Sequence, residues 1–121
     1  MQNLNEKFKI DINKRCYAFG LSVIKFTDTL PNKRVYLIIT DQLIMAATSI
    51  GVNLIEAKAS SSRLEYKKFY EIALKSANET IYWLNLLSDL SGSSVELVRL
   101  ISEAGEIAKM LGKGVISLKT K

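Results

Sequence analysis

Residues 93–118, SSVELVRLISEAGEIAKMLGKGVISL, decide the fold, because apolar residues recur there at alternating steps of four and three. The stripe consists of Leu97, Ile101, Ala104, Ala108, Leu111, Val115 and Leu118. Since an α-helix turns once every 3.6 residues, this rhythm places one apolar seam along one helix face. Ser93, followed three residues later by Glu96, forms a capping-box pattern at the start. The segment predicts a helix over about 93–118 that packs lengthwise against other helices.

Three further helices are predicted upstream, over about residues 12–30, 33–56 and 62–89. The apolar stripe of the first is Cys16, Phe19, Val23, Phe26 and Leu30. Pro31, the only proline, ends this helix, and Asn32 is a possible N-cap of the second. Ser62 and Glu65 repeat the capping-box pattern at the start of the third. Short loops between such helices are typical of bundles, so the chain (1–121) predicts one all-α domain, an up-down-up-down antiparallel four-helix bundle.

The second helix carries two adjacent stripes, one apolar and one of small or polar residues. The second stripe is Gln42, Ala46, Ser49, Asn53 and Glu56. We expect it, together with Trp83 of the third helix, to lie at an interface between helices or between subunits. A lone bundle would leave apolar surface of the second and third helices exposed, which favours a homo-oligomer; wide buried faces within one bundle are the alternative. The apolar run Val35 to Ile55 contains Asp41 and several polar residues, so we expect no membrane span.

The composition excludes most familiar enzyme chemistry. The chain has no histidine, which excludes Ser-His and Cys-His nucleophile pairs and His-containing metal sites. Cys16 is the single cysteine, so no internal disulfide forms, and we expect a cytoplasmic protein. No phosphate-binding glycine motif occurs, and Asp41 and Glu56 are too few for a paired-carboxylate site. We therefore expect no catalytic residues, no metal and no cofactor.

The charges are predicted to concentrate at one end of the bundle. Antiparallel helices place the starts of the first and third helices beside the ends of the second and fourth. The charged residues at this end have a net charge of +7, and the rest of the chain has a net charge of −2, which together give the total of +5. The proposed phosphate contacts are Lys58, Arg63, Lys67, Lys68, Lys113, Lys119 and Lys121. Lys14 and Arg15 are secondary candidates, and Tyr66 and Tyr70 are either a stacking surface for bases or core residues. This pattern predicts RNA or DNA binding; the alternatives are solvated charge, an acidic protein or a membrane surface.

Two runs resemble a known family. Residues 41–57, DQLIMAATSIGVNLIEA, and 65–84, EYKKFYEIALKSANETIYWL, are similar to the second and third helices of a bacterial four-helix bundle family. This family includes proteins encoded within intervening sequences of large-subunit rRNA genes. The similarity extends over about Phe8 to Lys119. Many members have two basic residues where this chain has Ile44 and Met45, which shifts any nucleic-acid contact toward the basic end.

The resemblance implies an up-down bundle that assembles as a ring-like homo-oligomer, with a pentamer favoured. A related protein, the accessory protein of diversity-generating retroelements, is likewise a basic pentameric bundle that works with a reverse transcriptase and its RNA. By this analogy alone, a reverse transcriptase is a possible partner. Neither relation implies catalysis. The leading hypothesis is therefore a non-enzymatic, self-assembling, nucleic-acid-binding bundle, and the alternative is a scaffold or protein-interaction module without a nucleic-acid role.

Overall fold

The computed structural model describes residues 11–119, which form four helices and, within that range, no strand. The helices are α1 (Ile12–Thr27), α2 (Arg34–Ala59), α3 (Arg63–Ser91) and α4 (Val95–Lys119). α1 and α3 each pack against both α2 and α4, while over residues 11–119 the diagonal pairs make no close backbone contact.

Successive helices run in opposite directions. Along α1 and α2, Gly51 lies beside Cys16 and Gly20 beside Thr48. Ser49 and Ser76, near the middles of α2 and α3, meet across a loop of three residues, and Arg63 at the start of α3 reaches Leu118 near the end of α4. The prediction of an all-α, up-down-up-down four-helix bundle is confirmed.

Polar side chains cap three of the helix starts. Ser62 accepts a hydrogen bond from the Glu65 backbone N–H (3.1 Å), as the capping-box pattern predicts, and Asp11 accepts one from Asn13. At α4 the prediction is wrong by one residue: Ser94, not Ser93, accepts from the backbone N–H of Leu97 (3.1 Å).

The start of α2 and the end of α1 also differ from the sequence prediction. Lys33, not Asn32, occupies the N-cap position of α2, without a side-chain hydrogen bond. α1 ends at Thr27, three residues before the predicted end at Leu30, because the chain enters a turn ahead of Pro31. In that turn the Leu30 N–H donates to the carbonyl of Thr27 (3.2 Å). With 16 residues against 26 in α2, α1 covers only part of its neighbour.

One hydrophobic core runs through the bundle and draws on all four helices. Its largest fully buried apolar side chains are Leu43, Ile50, Leu84, Leu87, Leu97, Ile107 and Leu111. The predicted stripe of α4 omits Leu100 and Ile107, which are buried because α4 packs against α1 as well as α3. The buried face of α4 is therefore wider than the single apolar stripe that the sequence predicts.

By length and composition alone, α2 is apolar enough to cross a membrane, with a mean hydropathy of 1.6 over 18 residues. It is the one such helix among residues 11–119. In the bundle it packs against α1 and α3, yet only 28% of that window is buried. α2 therefore exposes unusually much apolar surface for a helix of a folded bundle.

Candidate nucleic-acid interface

Three helix ends meet at one end of the bundle, and we call the cationic side chains there the basic end. Within residues 11–119 it comprises Lys58, Arg63, Lys67, Lys68, Lys113 and Lys119; Lys121 lies outside the described residues. The Arg63 guanidinium joins α3 to α4, because its Nη2 donates to the carbonyl oxygen of Leu118 at 3.2 Å. Lys58 and Arg63 line a shallow depression of about 430 Å³ with Ser60, Ser61, Ser62 and Tyr66. The helix ends thus gather these cations around one surface.

The cations of the basic end differ in how they are engaged. The Lys67 Nζ lies 3.7 Å from a carboxylate oxygen of Glu71, one turn away on α3. The other lysines, Lys58, Lys68, Lys113 and Lys119, are exposed, and none makes an ion pair within the described part of the chain. These four are the cations that remain available to phosphate.

Arg15, a secondary candidate, does not belong to this surface. Its Nε and Nη2 each donate to the Glu103 carboxylate at 2.7 Å, and Nη2 also reaches Glu106 at 2.9 Å. The hydrogen bond from Arg15 holds the pKa of the Glu103 carboxyl below its ordinary value, and the bond to Glu103 likewise raises the Arg15 pKa. Two carboxylates neutralise this guanidinium, so its function is to join α1 to α4.

Tyr66 and Tyr70 stack on one another, with ring centroids 5.6 Å apart. The Tyr70 ring also lies directly against Gly114 of α4, where an added Cβ would collide with it. Burial raises the pKa of the Tyr70 phenol. Because the Tyr70 ring is occupied in this way, it is a packing residue between α3 and α4 rather than an open platform for bases.

The small-polar stripe of α2 meets α3 at its centre, Ser49. The Ser49 and Ser76 hydroxyls are hydrogen-bonded at 2.8 Å, and the Asn53 side-chain amide donates to both the carbonyl and the hydroxyl of Ser49. Ala46 is buried, whereas Gln42 and Glu56 are exposed. Sequence periodicity predicts this stripe but not its partner on α3, Ser76, which is buried within the apolar face of that helix.

Trp83, the remaining predicted interface residue, is half-buried and packs against the core. Its ring meets that of Tyr82 edge-on at 5.2 Å. Tyr82 itself projects from the bundle.

Cys16 is buried in the core stripe of α1, and burial raises the pKa of its thiol to about 12. A thiol with so high a pKa is protonated at neutral pH and is therefore a poor nucleophile. Over residues 11–119, no group of three or more Cys, Asp or Glu side chains is arranged to hold a metal ion.

Comparison with known proteins relates the chain to a family and to solved structures. The model of the 23S rRNA-intervening sequence protein family matches residues 9–113. A crystal structure at 1.70 Å from Bacteroides thetaiotaomicron VPI-5482, described as a protein of unknown function from the S23 ribosomal protein family, is similar with a TM-score of 0.79. It is 28% identical, over 86% of this chain and 97% of that one. A search of curated proteins finds no match.

Proposed function

Because the chain belongs to the family of 23S rRNA-intervening sequence proteins, we propose that it is a non-enzymatic, self-assembling bundle that binds structured RNA, or another nucleic acid, through its basic end. The observation that carries this proposal is a group of exposed lysines where three helix ends meet: Lys58, Lys68, Lys113 and Lys119, none of which makes an ion pair within residues 11–119. Our proposal places this activity in the cytoplasm, with a reverse transcriptase as a partner by analogy alone.

Helix stability explains only some of these charges. A cation in the last turn of a helix interacts favourably with the helix dipole, which accounts for Lys58 at the end of α2 and Lys119 at the end of α4. Lys68 lies more than one turn after the start of α3, and Lys113 more than one turn before the end of α4, so the helix dipole accounts for neither charge. Binding of an external anion would account for Lys68 and Lys113.

Phosphate groups suit this surface better than base edges do. Lysine is a flexible point charge, which neutralises phosphate without reading sequence. The start of α3 adds backbone N–H groups beside Arg63, and helix starts favour anions. We therefore propose recognition of RNA shape and backbone. A ring of subunits, with a pentamer favoured, would repeat this charge several times and strengthen binding through multivalency.

The test is a titration of a labelled structured RNA with purified protein at about 50, 150 and 400 mM KCl, a range that shortens the Debye length severalfold. The variant K58Q/K68Q/K113Q/K119Q removes the four unpaired lysines. Its matched control, K33Q/R34Q/K75Q/K109Q, removes four exposed cations elsewhere and leaves the net charge identical. Both variants should retain the helical circular-dichroism spectrum of the wild type.

We expect binding at about micromolar concentration or tighter at low salt, falling steeply as salt rises. The first variant should lower the slope of log affinity against log salt by up to about four, since each phosphate contact contributes about one. The control should bind nearly as well as the wild type. Absence of binding at low salt, or equal losses in both variants, would overturn the proposal.

The alternative is a scaffold whose small-polar stripe and aromatic faces bind a partner helix. The contact between Ser49 and Ser76 occupies part of that stripe within the bundle, which weakens this alternative. A protein complex formed through apolar faces would be nearly indifferent to salt, so the same titration series separates the two functions.

A further inference from the structure

The basic end lacks an open aromatic surface on which an unpaired base could stack. Within residues 11–119 its aromatic side chains are Tyr66 and Tyr70, whose rings stack on one another, and the Tyr70 ring also lies against Gly114. The ring of Tyr17, 77% exposed, lies on another side of the bundle, where it and Val52 line the same cavity. Proteins that hold single strands use open aromatic rings as stacking platforms. This end is therefore poorly suited to a single-stranded nucleic acid.

The surface at this end is also too shallow to enclose a base. Its depression of about 430 Å³ is lined by the loop between α2 and α3, with Lys58, Arg63 and Leu118 around it. Asparagine and glutamine, which read adenine through paired hydrogen bonds, are absent from the residues that line it. Bases that stay paired inside a duplex need neither a pocket nor a stacking ring. Both features therefore favour a duplex, whose outer surface offers phosphate and ribose.

Hydroxyl and carboxylate groups lie among the cations, in the loop before α3 and in its first turn. The Ser60 hydroxyl donates to the carbonyl of Ala57 at 2.6 Å, and the Ser62 hydroxyl accepts from the Glu65 backbone N–H at 3.1 Å. The Ser61 hydroxyl is less engaged, because its one contact, to the Glu65 carboxylate, is long at 3.4 Å. Both Ser61 and Glu65 are exposed. This pair of side chains is therefore open to a ligand that carries hydroxyl groups.

A ribose 2′-hydroxyl matches the chemistry of this pair. It is both a donor and an acceptor, so it can donate to the Glu65 carboxylate and accept from the Ser61 hydroxyl. A phosphodiester has no proton to donate at neutral pH, and Glu65 repels it. Since deoxyribose lacks the 2′-hydroxyl, the pair distinguishes RNA from DNA.

The cations surround this pair on three helices and at two depths along the bundle. Lys58 and Arg63 line the depression itself. Lys68 lies about 7.5 Å beyond Arg63 along α3, and Lys113 lies about 9 Å from Lys119 along α4. The minor groove of an A-form duplex is wide and shallow, and it displays 2′-hydroxyls between its two phosphate strands. Cations around a centre that binds hydroxyls match that order of phosphate, ribose and phosphate.

We propose that the basic end binds the minor groove of double-stranded RNA, with Ser61 and Glu65 against ribose 2′-hydroxyls and the lysines against the flanking phosphates. This inference rests on the nucleic-acid binding in our proposed function and names its substrate class, an A-form duplex. Binding is then independent of base sequence and tighter for RNA than for DNA of the same length and charge.

The test compares three labelled probes at low salt. They are an RNA duplex of about 20 base pairs, a DNA duplex of the same sequence, and a single-stranded uridine-rich RNA with the same number of phosphates. We expect the RNA duplex to bind more tightly than the single strand, and about two- to tenfold more tightly than the DNA duplex, as one hydrogen-bonded site predicts. A second RNA duplex of unrelated sequence should bind as well as the first.

Variants of the loop locate the discrimination. S61A should lower the affinity for the RNA duplex about two- to tenfold and leave that for the DNA duplex unchanged. S93A is the matched control, because Ser93 is an exposed serine in the loop between α3 and α4, at the opposite end of the bundle. E65Q should strengthen DNA binding more than RNA binding, since it removes the repulsion of phosphate. Both S61A and E65Q keep the capping hydrogen bond from the Glu65 backbone to Ser62, so both should fold.

The contrary outcomes are distinguishable. Equal affinity for the two duplexes, or an equal effect of S61A on both, would overturn the reading of ribose and leave the basic end a phosphate site. Tighter binding of the single strand would overturn the duplex as substrate class and leave the proposed function intact. If none of the probes binds at low salt, nucleic-acid binding itself fails, and this inference fails with it.

Discussion

α2 carries two apolar faces whose residues recur at similar heptad spacing but whose surroundings differ. Leu43, Ile50 and Leu54 face inward, at most 2% exposed, and belong to the core shared with the other helices. Met45 and Val52, only two residues further along, stay more than half exposed. Apolar periodicity therefore predicts that a helix has a face to cover, but it does not say whether the same chain or another molecule covers it.

The largest expected effect comes from truncating the inner face. Ile50→Ala should lower the free energy of unfolding by about 2–5 kcal/mol, since it removes transfer free energy and leaves a cavity in a close-packed core. Val52→Ala on the outer face should cost at most about 0.5 kcal/mol in the monomer. Urea unfolding at several protein concentrations measures both.

Protein concentration distinguishes the two faces further. The Val52→Ala loss should grow with concentration, because assembly adds stability only when subunits associate, whereas the Ile50→Ala loss should not. Equal, concentration-independent losses for both variants would contradict the distinction between a packed and an open face.

α4 offers the same contrast between a closed and an open position at two neighbouring glycines. A Cβ at Gly114 would collide with the Tyr70 ring, whereas at Gly112 nothing described lies within 4 Å. Gly114→Ala should therefore destabilise by about 1–3 kcal/mol through overpacking, while Gly112→Ala should stabilise by up to about 1 kcal/mol through helix propensity. Thermal unfolding of the two variants measures both effects. A change in stability of the same sign for both variants would contradict this distinction.

A third side of α2 is polar, and the expected effect there is smaller. Ser49→Ala should cost about 1 kcal/mol, because it leaves the buried Ser76 hydroxyl without its partner on α2. In a double-mutant cycle with Ser76→Ala, the double variant should lose less than the sum of the single losses. Additive losses would mean that this hydrogen bond does not join α2 to α3.

An effect of similar size is expected at the ion pair that joins α1 to α4. Because the folded-state pKa of Glu103 is lowered, its contribution is present above the unfolded-state pKa and is lost as pH falls through the folded-state pKa. Glu103→Gln should cost about 1 kcal/mol at pH 7, since the pair is partly exposed. The loss should shrink below about pH 4. A difference from wild type that does not change between pH 7 and pH 3 would contradict this.

The sequence predicts the fold well because its strongest patterns are local. Capping at Ser62 and the apolar seam of α4 depend only on residues a few positions apart, and both appear in the structure. The C-terminal end of α1 and the start of α4 differ from the prediction by up to three residues. Turn hydrogen bonds set the first boundary, and capping by Ser94 instead of Ser93 sets the second.

The candidate site is less predictable, because it depends on how helices are aligned across the bundle. The topology alone assigns Arg15 to the basic end, yet the alignment of α1 with α4 places it against Glu103 and Glu106. The spacing of Glu103 and Glu106 on one face of α4 indicates a site for a cation, but the sequence does not show which helix supplies it. Exposed apolar surface on α2 is predicted from the sequence, but which of its residues form the outer face depends on the same alignment of helices.

The most direct test of the central claim follows RNA binding and assembly together in one sedimentation experiment with labelled RNA, as KCl rises from about 50 to 400 mM. The account predicts that RNA dissociates from the basic end as salt rises, while the protein remains assembled through apolar contacts between subunits. RNA that stays bound at the highest salt, or an assembly that separates together with the RNA, would contradict it.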